Sequence, residues 1–520
     1  MKIKKKLGIV YIVVIMVIFL IPFAGMTFFA TDSTTENKTL ASLPSLVTED
    51  GFNVNFFDEL GDYFEDHFAF REYLVNADAL IQSNIFHVSN VDTVVTGEDG
   101  WLYYDATVDN YLGQNLMSDR DVYQAAHNLS LMQDYVEGQG ARFVAAIAPN
   151  KNSLYGEQMP YYDSYKASEE KNADKLQAQM EAQEVAYVDL FDLFQSQNEV
   201  LYLKRDSHWN GKGAVLVYNE LLGALGVEHD PLDTVPVTRT KTEVGDLNTM
   251  IYPLSAQPEW NYYYEYDPEY THVTDTKSVE DSWIETENKA QEGSLLMFRD
   301  SFGNSLLPLM ANAVGEGYFS KGVPAAIQTY METYEPELVI DELVERNIEQ
   351  FITDPPVMQG PEVEEAEEET EEETEEKEKK DKKKDKKKSK DEETEEEAEE
   401  DTEEEEEAED RATLLAAEAE ADTAYWCLSG IVDPETAEEE TNVQIRLSAG
   451  DAGQTLEAFL TKTEDSDYAY MLYVKKDYLT ENFKDHENEI KVEVMTELDG
   501  EQTTVHTETI DFTGIVAEEE

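Results

Sequence analysis

Two short segments, far apart in the chain, carry the side-chain types of a nucleophile and its base. In the first, Asp206 and His208 are separated by one residue, in a loop that opens a predicted helix. That spacing lets the carboxylate accept a hydrogen bond from the imidazole Nδ1–H, which fixes the tautomer and leaves Nε2 free as a base. Taken alone, the pair is also compatible with half of a metal site or with a structural hydrogen bond.

The second segment places Ser301 between an apolar run at 294–298 and a helical pattern at 304–314. A turn between a strand and a helix exposes a hydroxyl at the carboxyl edge of a sheet, where α/β folds place their sites. The backbone N–H groups of Ser301 and Gly303, at a helix N-terminus, are expected to stabilise an oxyanion. A serine after a strand also suits a helix N-cap, so the segment alone does not establish a nucleophile.

Strand and helix patterns alternate around both segments, and this order predicts the scaffold that positions them. The alternation predicts a three-layer α/β domain with a mostly parallel sheet that ends near Thr353. Residues 233–293 are irregular and rich in Tyr and Trp, which suggests an insertion near the site. The predicted strands are 143–148, 185–190, 294–298 and 338–340, and the predicted helices are 119–137, 168–182, 211–225 and 304–314.

The N-terminus has the pattern of a membrane anchor. Four lysines within the first six residues precede an uncharged run at 7–29. At ~1.5 Å per residue, that run is long enough to cross a ~30 Å hydrocarbon core. The lysines should stay in the cytoplasm, which predicts a single-pass protein of the cell membrane whose catalytic domain is extracellular. A cleaved signal peptide is the competing interpretation, although its apolar stretch is usually shorter and Phe28 is not the small residue expected before a cleavage site.

Composition limits the possible partners. The 520 residues include 114 acidic and 39 basic side chains, a formal net charge of −75. Such a surface repels nucleic acid and anionic lipid headgroups, so neither is an expected ligand. Cys427 is the single cysteine, which excludes intrachain disulfides and cysteine-rich metal sites. We expect no cofactor and no metal.

The C-terminal part changes character twice. Residues 355–422 consist of Glu, Thr and Lys blocks with little apolar surface, which predicts a disordered or partly helical linker. Alternating patterns then predict an all-β, sandwich-like domain over 423–516, as either a carbohydrate-binding module or a spacer. The predicted organisation is therefore an anchor at 1–30, a catalytic domain at 31–354, the linker and the β-rich domain. The six predicted strands are 425–431, 443–447, 456–461, 468–474, 490–494 and 504–512.

Taken together, the motifs resemble those of the alginate O-acetyltransferase group and its Gram-positive relatives, the DHHW proteins, which have an SGNH hydrolase-like domain. The signature tetrapeptide appears at 206–209 as Asp-Ser-His-Trp, with Ser207 in place of the first histidine. The serine segment matches at 299–303, and the Asp-x-His precedes it as in that family. The resemblance covers roughly residues 50–355. Further matches lie at 65–68, 97–104, 149–151 and 345–347.

The resemblance implies roles for the three central side chains. Ser301 would be the nucleophile, His208 the general base and acid, and Asp206 the carboxylate that orients the imidazole. Asn150 and Lys151 would either line the site and help the oxyanion or form a turn.

Two further residues have two interpretations each. Trp209 would either stack on sugar rings or pack in the core. Arg299 would contact the substrate or pair with a neighbouring carboxylate.

The implied activity is O-acetyl transfer to a cell-surface or exported polysaccharide through an acyl-enzyme. A multi-spanning membrane O-acyltransferase would supply the acetyl group from inside the cell, and the anchor would hold the site near that partner. Two alternatives stay open: a polysaccharide acetyl esterase that uses the same triad, and a non-catalytic surface protein that binds glycan.

Overall fold

The computed structural model describes residues 2–29, 40–48, 51–86, 88–159, 161–363, 411–419, 422–484 and 486–513. The chain divides into two compact units, Met1–Pro324 with Met331–Phe351, and Ala325–Tyr330 with Ile352–Glu520. Most of the predicted linker, residues 364–410, lies outside the described residues.

An open sheet of seven strands forms the centre of the first unit. Its spatial order is β2-β1-β7-β5-β6-β4-β3. The first five strands of that order run parallel, and β4 and β3 add an antiparallel edge. The expected α/β class with a mostly parallel sheet is therefore confirmed. In chain order the strands are β1 (Arg142–Ala148), β2 (Tyr187–Val188), β3 (Thr271–His272), β4 (Trp283–Glu287), β5 (Ser294–Arg299), β6 (Glu316–Lys321) and β7 (Leu338–Val344).

Helices cover the sheet on both faces, because its central strands are apolar on both sides. Val144 and Ala146 of β1 belong to the same core cluster as the buried residues of the helix Gly211–Ala224. The alternate β1 residues, including Ile147, are also buried but lie outside that cluster. They point to the other face, where the helix Asp119–Gly138 contacts β1.

The remaining elements of this region include several that the sequence did not predict. Strand β6 and the helix Ile327–Tyr334 are additional, and the irregular region contains a hairpin, a short helix and strands β3 and β4. The α-helices before residue 354 are Lys2–Phe29, Phe56–His67, Arg71–Ile81, Val108–Leu112, Asp119–Gly138, Lys151–Tyr155, Asn172–Ala182, Leu190–Gln195, Gly211–Ala224, Asp246–Ile251, Leu307–Ala313, Ile327–Tyr334 and Gln350–Thr353. The two-stranded hairpins are Val47–Thr48 with Gly51–Phe52, Val94–Thr96 with Leu102–Tyr104, and Val237–Glu243 with Glu259–Tyr264.

The N-terminal helix Lys2–Phe29 contains one stretch, Gly8–Met26, that is long and apolar enough to cross a membrane, with a mean hydropathy of 2.8. A signal sequence near the N-terminus has the same properties. The C-terminal end of the helix packs on a segment that follows it: the rings of Phe23 and Phe64 lie 5.2 Å apart, and Ala69 N donates to Pro22 O at 3.2 Å.

The second unit contains two four-stranded antiparallel sheets, ordered β8-β9-β13-β12 and β11-β10-β14-β15. Alternate side chains of β14, such as Val492 and Val494, are fully buried, as expected for a strand with one face on a core. The strands are β8 (Leu415–Glu418), β9 (Tyr425–Ile431), β10 (Asn442–Ala449), β11 (Ala452–Glu457), β12 (Phe459–Thr461), β13 (Ala469–Lys475), β14 (Ile490–Leu498) and β15 (Glu501–Ile510), with one further helix at Lys476–Asn482.

Two details of this unit differ from the sequence-based expectation. Strand β8 lies within the predicted linker, where a short apolar segment pairs with β9. The predicted strand 456–461 is two strands in different sheets, because the chain changes sheet at the buried Ala458. The tight turn between β14 and β15, at Asp499 and Gly500, has positive φ at both residues, as a type I′ hairpin turn requires.

Asp341 in β7 makes folding stability depend on pH. It is 2% exposed, its Oδ2 has no hydrogen-bond partner among the described residues, and burial raises its pKa to about 7. An unfolded aspartate has a pKa of ~3.9, and each pH unit of difference corresponds to ~1.4 kcal/mol. The contribution of Asp341 to stability is thus fully present below pH ~4 and is lost as the pH rises through 7, at a cost of roughly 4 kcal/mol.

We expect Asp341→Asn to raise the free energy of unfolding at pH 8 by about 2 kcal/mol, since the buried amide keeps part of the cost. At pH 5 the same substitution should be close to neutral. Thermal unfolding of the full chain at both pH values measures the difference, with the exposed Asp267→Asn as control. An equal effect of Asp341→Asn at both pH values would contradict this assignment.

Candidate active site

The polar residues that follow the central parallel strands lie at the carboxyl edge of the sheet. Asp300 and Ser301 follow β5, Glu345 follows β7, and Asn150 and Lys151 follow β1. These three strands are adjacent, in the order β1-β7-β5, so the residues after them lie along one rim. This is the edge at which α/β folds form their sites.

Asp300 fixes the turn that presents Ser301. Its Oδ1 accepts from Phe302 N at 2.7 Å, which closes a local turn around the serine. Its Oδ2 accepts from Val344 N at 2.8 Å, which ties the turn to the end of β7. The hydroxyl of Ser301 is thereby held at the rim of the sheet.

The element after Ser301 differs from the expected helix. A 3₁₀ turn, Phe302–Asn304, comes first, and the α-helix begins only at Leu307, with Pro308 in its first turn. Ser301 therefore does not sit at an α-helix N-terminus, so the helix end that was expected to help stabilise an oxyanion is not in place. Gly303 has a packing reason to be glycine: an added Cβ would lie 2.6 Å from Arg299 Cβ.

His208 links Asp206 to Ser301 in a continuous chain of hydrogen bonds. Its Nε2 lies 2.9 Å from Ser301 Oγ, and its Nδ1 lies 2.7 Å from Asp206 Oδ1. The same carboxylate oxygen accepts from the backbone N–H of His208 at 2.9 Å. With the Nδ1 proton donated to Asp206, Nε2 is the nitrogen that can take a proton from the serine. The structure thus brings together the three side chains that the sequence singled out.

Lys151 holds the loop that carries Asp206 and His208. Its Nζ donates to the carbonyl oxygens of Leu203 at 3.2 Å, Lys204 at 3.2 Å and Asp206 at 2.5 Å. Only 4% of the residue is exposed. Burial lowers the pKa of Lys151 to about 8, against the opposing charges of nearby carboxylates. The geometry therefore assigns Lys151 to loop support and not to lining the site.

The irregular region supplies two further supports for the same loop. Glu259 accepts from Lys204 N at 2.7 Å and from Arg205 N at 2.8 Å, one bond to each carboxylate oxygen. Asp246 N donates to Asp206 Oδ2 at 3.0 Å. The region was expected near the site. Nothing in its sequence pattern singles out these two acids, because their partners in the loop lie at least 40 positions away in the chain.

The electrostatics of the site favour a charged His208. Burial disfavours the imidazolium, but the hydrogen bond and charge of Asp206, with the charges of Asp246 and Asp300, raise the pKa of His208 above its ordinary value. Burial acts to raise the pKa of Asp206, yet its bonds to His208 lower it overall. The pair is therefore suited to accept a proton on His208 and to keep Asp206 ionised.

The spacing of Asp206, His208 and Asp246 also bears on the metal alternative. One potential ligand atom from each lies within 4.8 Å of the others, which is compatible with a bound ion. However, His208 Nδ1 and both oxygens of Asp206 already take part in hydrogen bonds, and Asp246 accepts from Ser207. These pairings fit a proton relay better than a ligand set.

All five residues predicted as substrate or oxyanion contacts are buried: Gly303, Asn150, Lys151, Trp209 and Arg299. Asn150 is 1% exposed and its backbone N–H donates to Glu345 Oε2 at 2.8 Å, while both polar atoms of its side chain have no partner among the described residues. Trp209 is 3% exposed and donates from Nε1 to Ser305 Oγ at 2.6 Å. Its face stacks on Phe194 in the core, so stacking on sugar is excluded in this conformation.

Arg299 has no exposed surface. Its guanidinium donates to Asn304 Oδ1 at 2.5 Å and to Val279 O at 2.6 Å, so it binds the segments around the turn and does not reach a substrate. Its hydrogen-bond acceptors are thus neutral, and the carboxylates near it act on the guanidinium through their charge. Nearby acids, Glu342 first among them, oppose the lowering of its pKa by burial.

Comparison with known proteins agrees with the motifs. Residues 94–296 match the family model of the SGNH hydrolase-like domain of acetyltransferase AlgX. The match includes Asp206 and His208 and ends before Ser301. A probable alginate O-acetylase AlgJ of Pseudomonas syringae pv. tomato is 30% identical over 203 residues, which cover 36% of this chain and 49% of the relative. The chain thus spans about half the length of this curated relative.

Similar solved structures include PatB1 of Bacillus cereus, with 18% identity and a TM-score of 0.40, over 50% of this chain and 97% of that one. A DHHW family protein of Eubacterium siraeum has 17% identity and a TM-score of 0.38, over 50% of this chain and 95% of that one. The family model and the motif order together confirm the resemblance: over residues 94–296, this chain is similar to the SGNH hydrolase-like domain of acetyltransferase AlgX.

Proposed function

We propose that this protein is a serine-dependent O-acetyltransferase that acts on a cell-surface or exported polysaccharide. The observation that carries the proposal is the hydrogen-bonded chain from Asp206 through His208 to Ser301 at the rim of the parallel sheet. The similarity to an acetyltransferase domain and to an alginate O-acetylase supports acetyl as the group and polysaccharide as the acceptor.

The geometry fits a two-step exchange. In the first step, Ser301 Oγ attacks the carbonyl carbon of an acetyl donor while His208 Nε2 takes the hydroxyl proton, and His208 then returns that proton to the leaving group. The product is acetyl-Ser301. In the second step, Nε2 takes the proton of a sugar hydroxyl, which attacks the acetyl carbonyl, and His208 then returns that proton to Ser301 Oγ as the acetyl–Oγ bond breaks. Asp206 remains ionised and stabilises the imidazolium in both steps.

Donors for the tetrahedral oxyanion are the next requirement. We assign this role to the backbone N–H groups of the turn at Ser301 and Gly303, and to the amide of Asn150. Asn150 follows β1, two strands from the serine, and its buried side-chain amide makes no hydrogen bond among the described residues. A buried, unpaired amide is costly unless a ligand uses it, which supports this assignment.

The proposed location is outside the cell membrane, with the N-terminal helix as a single-pass anchor. Support comes from Gly8–Met26, whose length and composition suit a membrane span. Acetyl would come from a membrane-bound O-acyltransferase next to that anchor. The β-rich second unit is proposed as a spacer or a glycan-binding module.

Ser301→Ala should reduce acetylation of the polymer by at least ~10³-fold, because the nucleophile is lost. The measurement is acetyl content of the surface polysaccharide in cells, or acetyl transfer by the purified chain. Ser305→Ala is the matched control, since that hydroxyl donates to Phe302 O and accepts from Trp209 but does not contact His208. Unchanged acetylation in Ser301→Ala would favour a non-catalytic, glycan-binding protein.

The rate should rise with pH as His208 loses its proton, with a midpoint above the ordinary histidine value of ~6.5. The rate increases with pH, and does not decrease, because only the neutral imidazole can act as the base. In Asp206→Asn this midpoint should move to lower pH, and the rate should fall ~10²–10⁴-fold through loss of the correct tautomer. The pH profile of kcat/KM measures both; an Asp206→Asn midpoint identical to the parent value would contradict the relay.

Transfer and hydrolysis can be separated with a chromogenic acetyl ester supplied with and without oligosaccharide. The transferase predicts acetylated oligosaccharide by mass spectrometry, at the expense of free acetate. Free acetate as the sole product, at every acceptor concentration, would identify an esterase with the same triad.

A further inference from the structure

A second carboxylate, Asp246, lies beside the Asp206–His208 pair and takes part in no step described above. Its Oδ1 accepts from Ser207 N at 2.8 Å, and its Oδ2 accepts from the hydroxyl of Ser207. Its backbone N–H donates to Asp206 Oδ2 at 3.0 Å. Asp246 therefore contacts the residue between the two relay residues and one of the relay residues itself.

Main-chain contacts hold Asp246 close to the loop that contains Asp206 and His208. Asp246 begins the helix Asp246–Ile251, directly after Gly245. A Cβ on Gly245 would lie 2.2 Å from Arg205 O, so a larger residue there would push the helix away from the loop. Asn248 N also donates to Arg205 O at 3.0 Å. The start of the helix is thus fixed against the Asp-x-His segment by main-chain contacts on both sides of Asp246.

Ser207 separates the two carboxylates at the imidazole. Its hydroxyl donates to Asp246 and lies 3.3 Å from His208 Nδ1, while Asp246 Oδ2 lies 3.8 Å from the same nitrogen. Asp206 Oδ1, at 2.7 Å, therefore keeps the Nδ1 proton, and Asp246 acts at the longer distance as a charge. Position 207 is the one at which the family signature has a histidine.

We propose that Asp246 is a positioning residue of the relay: it fixes Ser207 and Asp206 in place, and its charge stabilises the imidazolium that His208 forms during transfer. The kinetic part of this proposal rests on the proposed function. The positional and electrostatic part concerns the fold alone and can be tested without turnover.

The charged groups around His208 and Asp246 limit how much the loss of the Asp246 charge can change the relay. His208 faces Asp206, Asp246 and Asp300, and the ring of Phe302 covers its other side at 4.7 Å. Asp246 faces Asp206 and His208, and Lys151 lies close enough to interact with it. Removing the charge at 246 leaves two carboxylates on the imidazole, so the relay should weaken and should not vanish.

Asp246→Asn is the sharpest test, because the amide oxygen can still accept from Ser207 N while the charge is gone. We expect the acidic limb of kcat/KM to move down by about one pH unit and kcat to fall ~10-fold, with KM unchanged. Ser207→Ala, which removes a hydroxyl and no charge, should move the limb by less than ~0.3 pH unit. The exposed Asp267→Asn should match the parent chain in all three quantities.

A readout that needs no activity is the pH dependence of His208 modification by diethyl pyrocarbonate, which reacts with neutral imidazole. Peptide mass spectrometry of the full chain gives the midpoint at His208 directly. A lower midpoint in Asp246→Asn than in the parent supports the proposal, even where no acetyl transfer is detected. An unchanged midpoint, with His208 equally reactive in both chains, overturns it; a missing transferase activity alone counts against the proposed function only.

Discussion

The hydrogen bond between His208 Nε2 and Ser301 Oγ joins two segments that reach the rim of the sheet by different routes. Ser301 comes directly from the end of β5, and its position is set by strand pairing and by Asp300. His208 comes from a loop with no place in the sheet. A 2.9 Å hydrogen bond between them persists only if the loop is held nearly as rigidly as the strand. Many of the surrounding contacts hold the loop in this position.

The loop is held by charges that would be expensive to bury without partners. Lys151 donates to three carbonyl oxygens, and Glu259 accepts from two backbone N–H groups. Breaking either set of hydrogen bonds would leave buried polar groups unpaired. Such bonds therefore fix the position of a loop more strongly than apolar contacts of similar buried area. Farther into the sheet, Asp341 shows the opposite case, a buried carboxyl whose ionisation opposes folding.

The sequence predicted best where one local pattern decides the structure. The apolar run at 143–148 forms β1 nearly as expected, because a strand buried on both faces needs continuous apolar residues. Asp206, His208 and Ser301 stood out because the residues that flank each segment form local patterns, and the family resemblance then joined the two segments into one site. The sequence also led to the confirmed resemblance with the AlgX-type domain.

Most of the sequence-based predictions that were wrong or missing concern features that depend on contacts between distant segments. Strand β6 was missed because its six residues include Glu, Gly, Ser and Lys, and pairing with β5 and β4 supplies what the composition lacks. One miss was local: Pro308 favours the first turn of a helix, so the helix after Ser301 begins only at Leu307, which weakens the expected oxyanion site. Trp209 and Arg299 have side chains typical of ligand sites, yet tertiary packing buries both. Asp246 gave no sequence signal, since its role arises only when its helix meets the loop.

Direct detection of an acetyl group on Ser301 tests the account most closely. The full chain is mixed with a chromogenic acetyl ester, quenched in acid within the first turnover, and its peptides are analysed by mass spectrometry. The account predicts acetyl on the peptide that contains Ser301, and a much smaller amount in His208→Ala. Rapid release of the chromophore with acetyl on no residue, or with equal acetylation of Ser301 in His208→Ala, would contradict a serine nucleophile activated by His208.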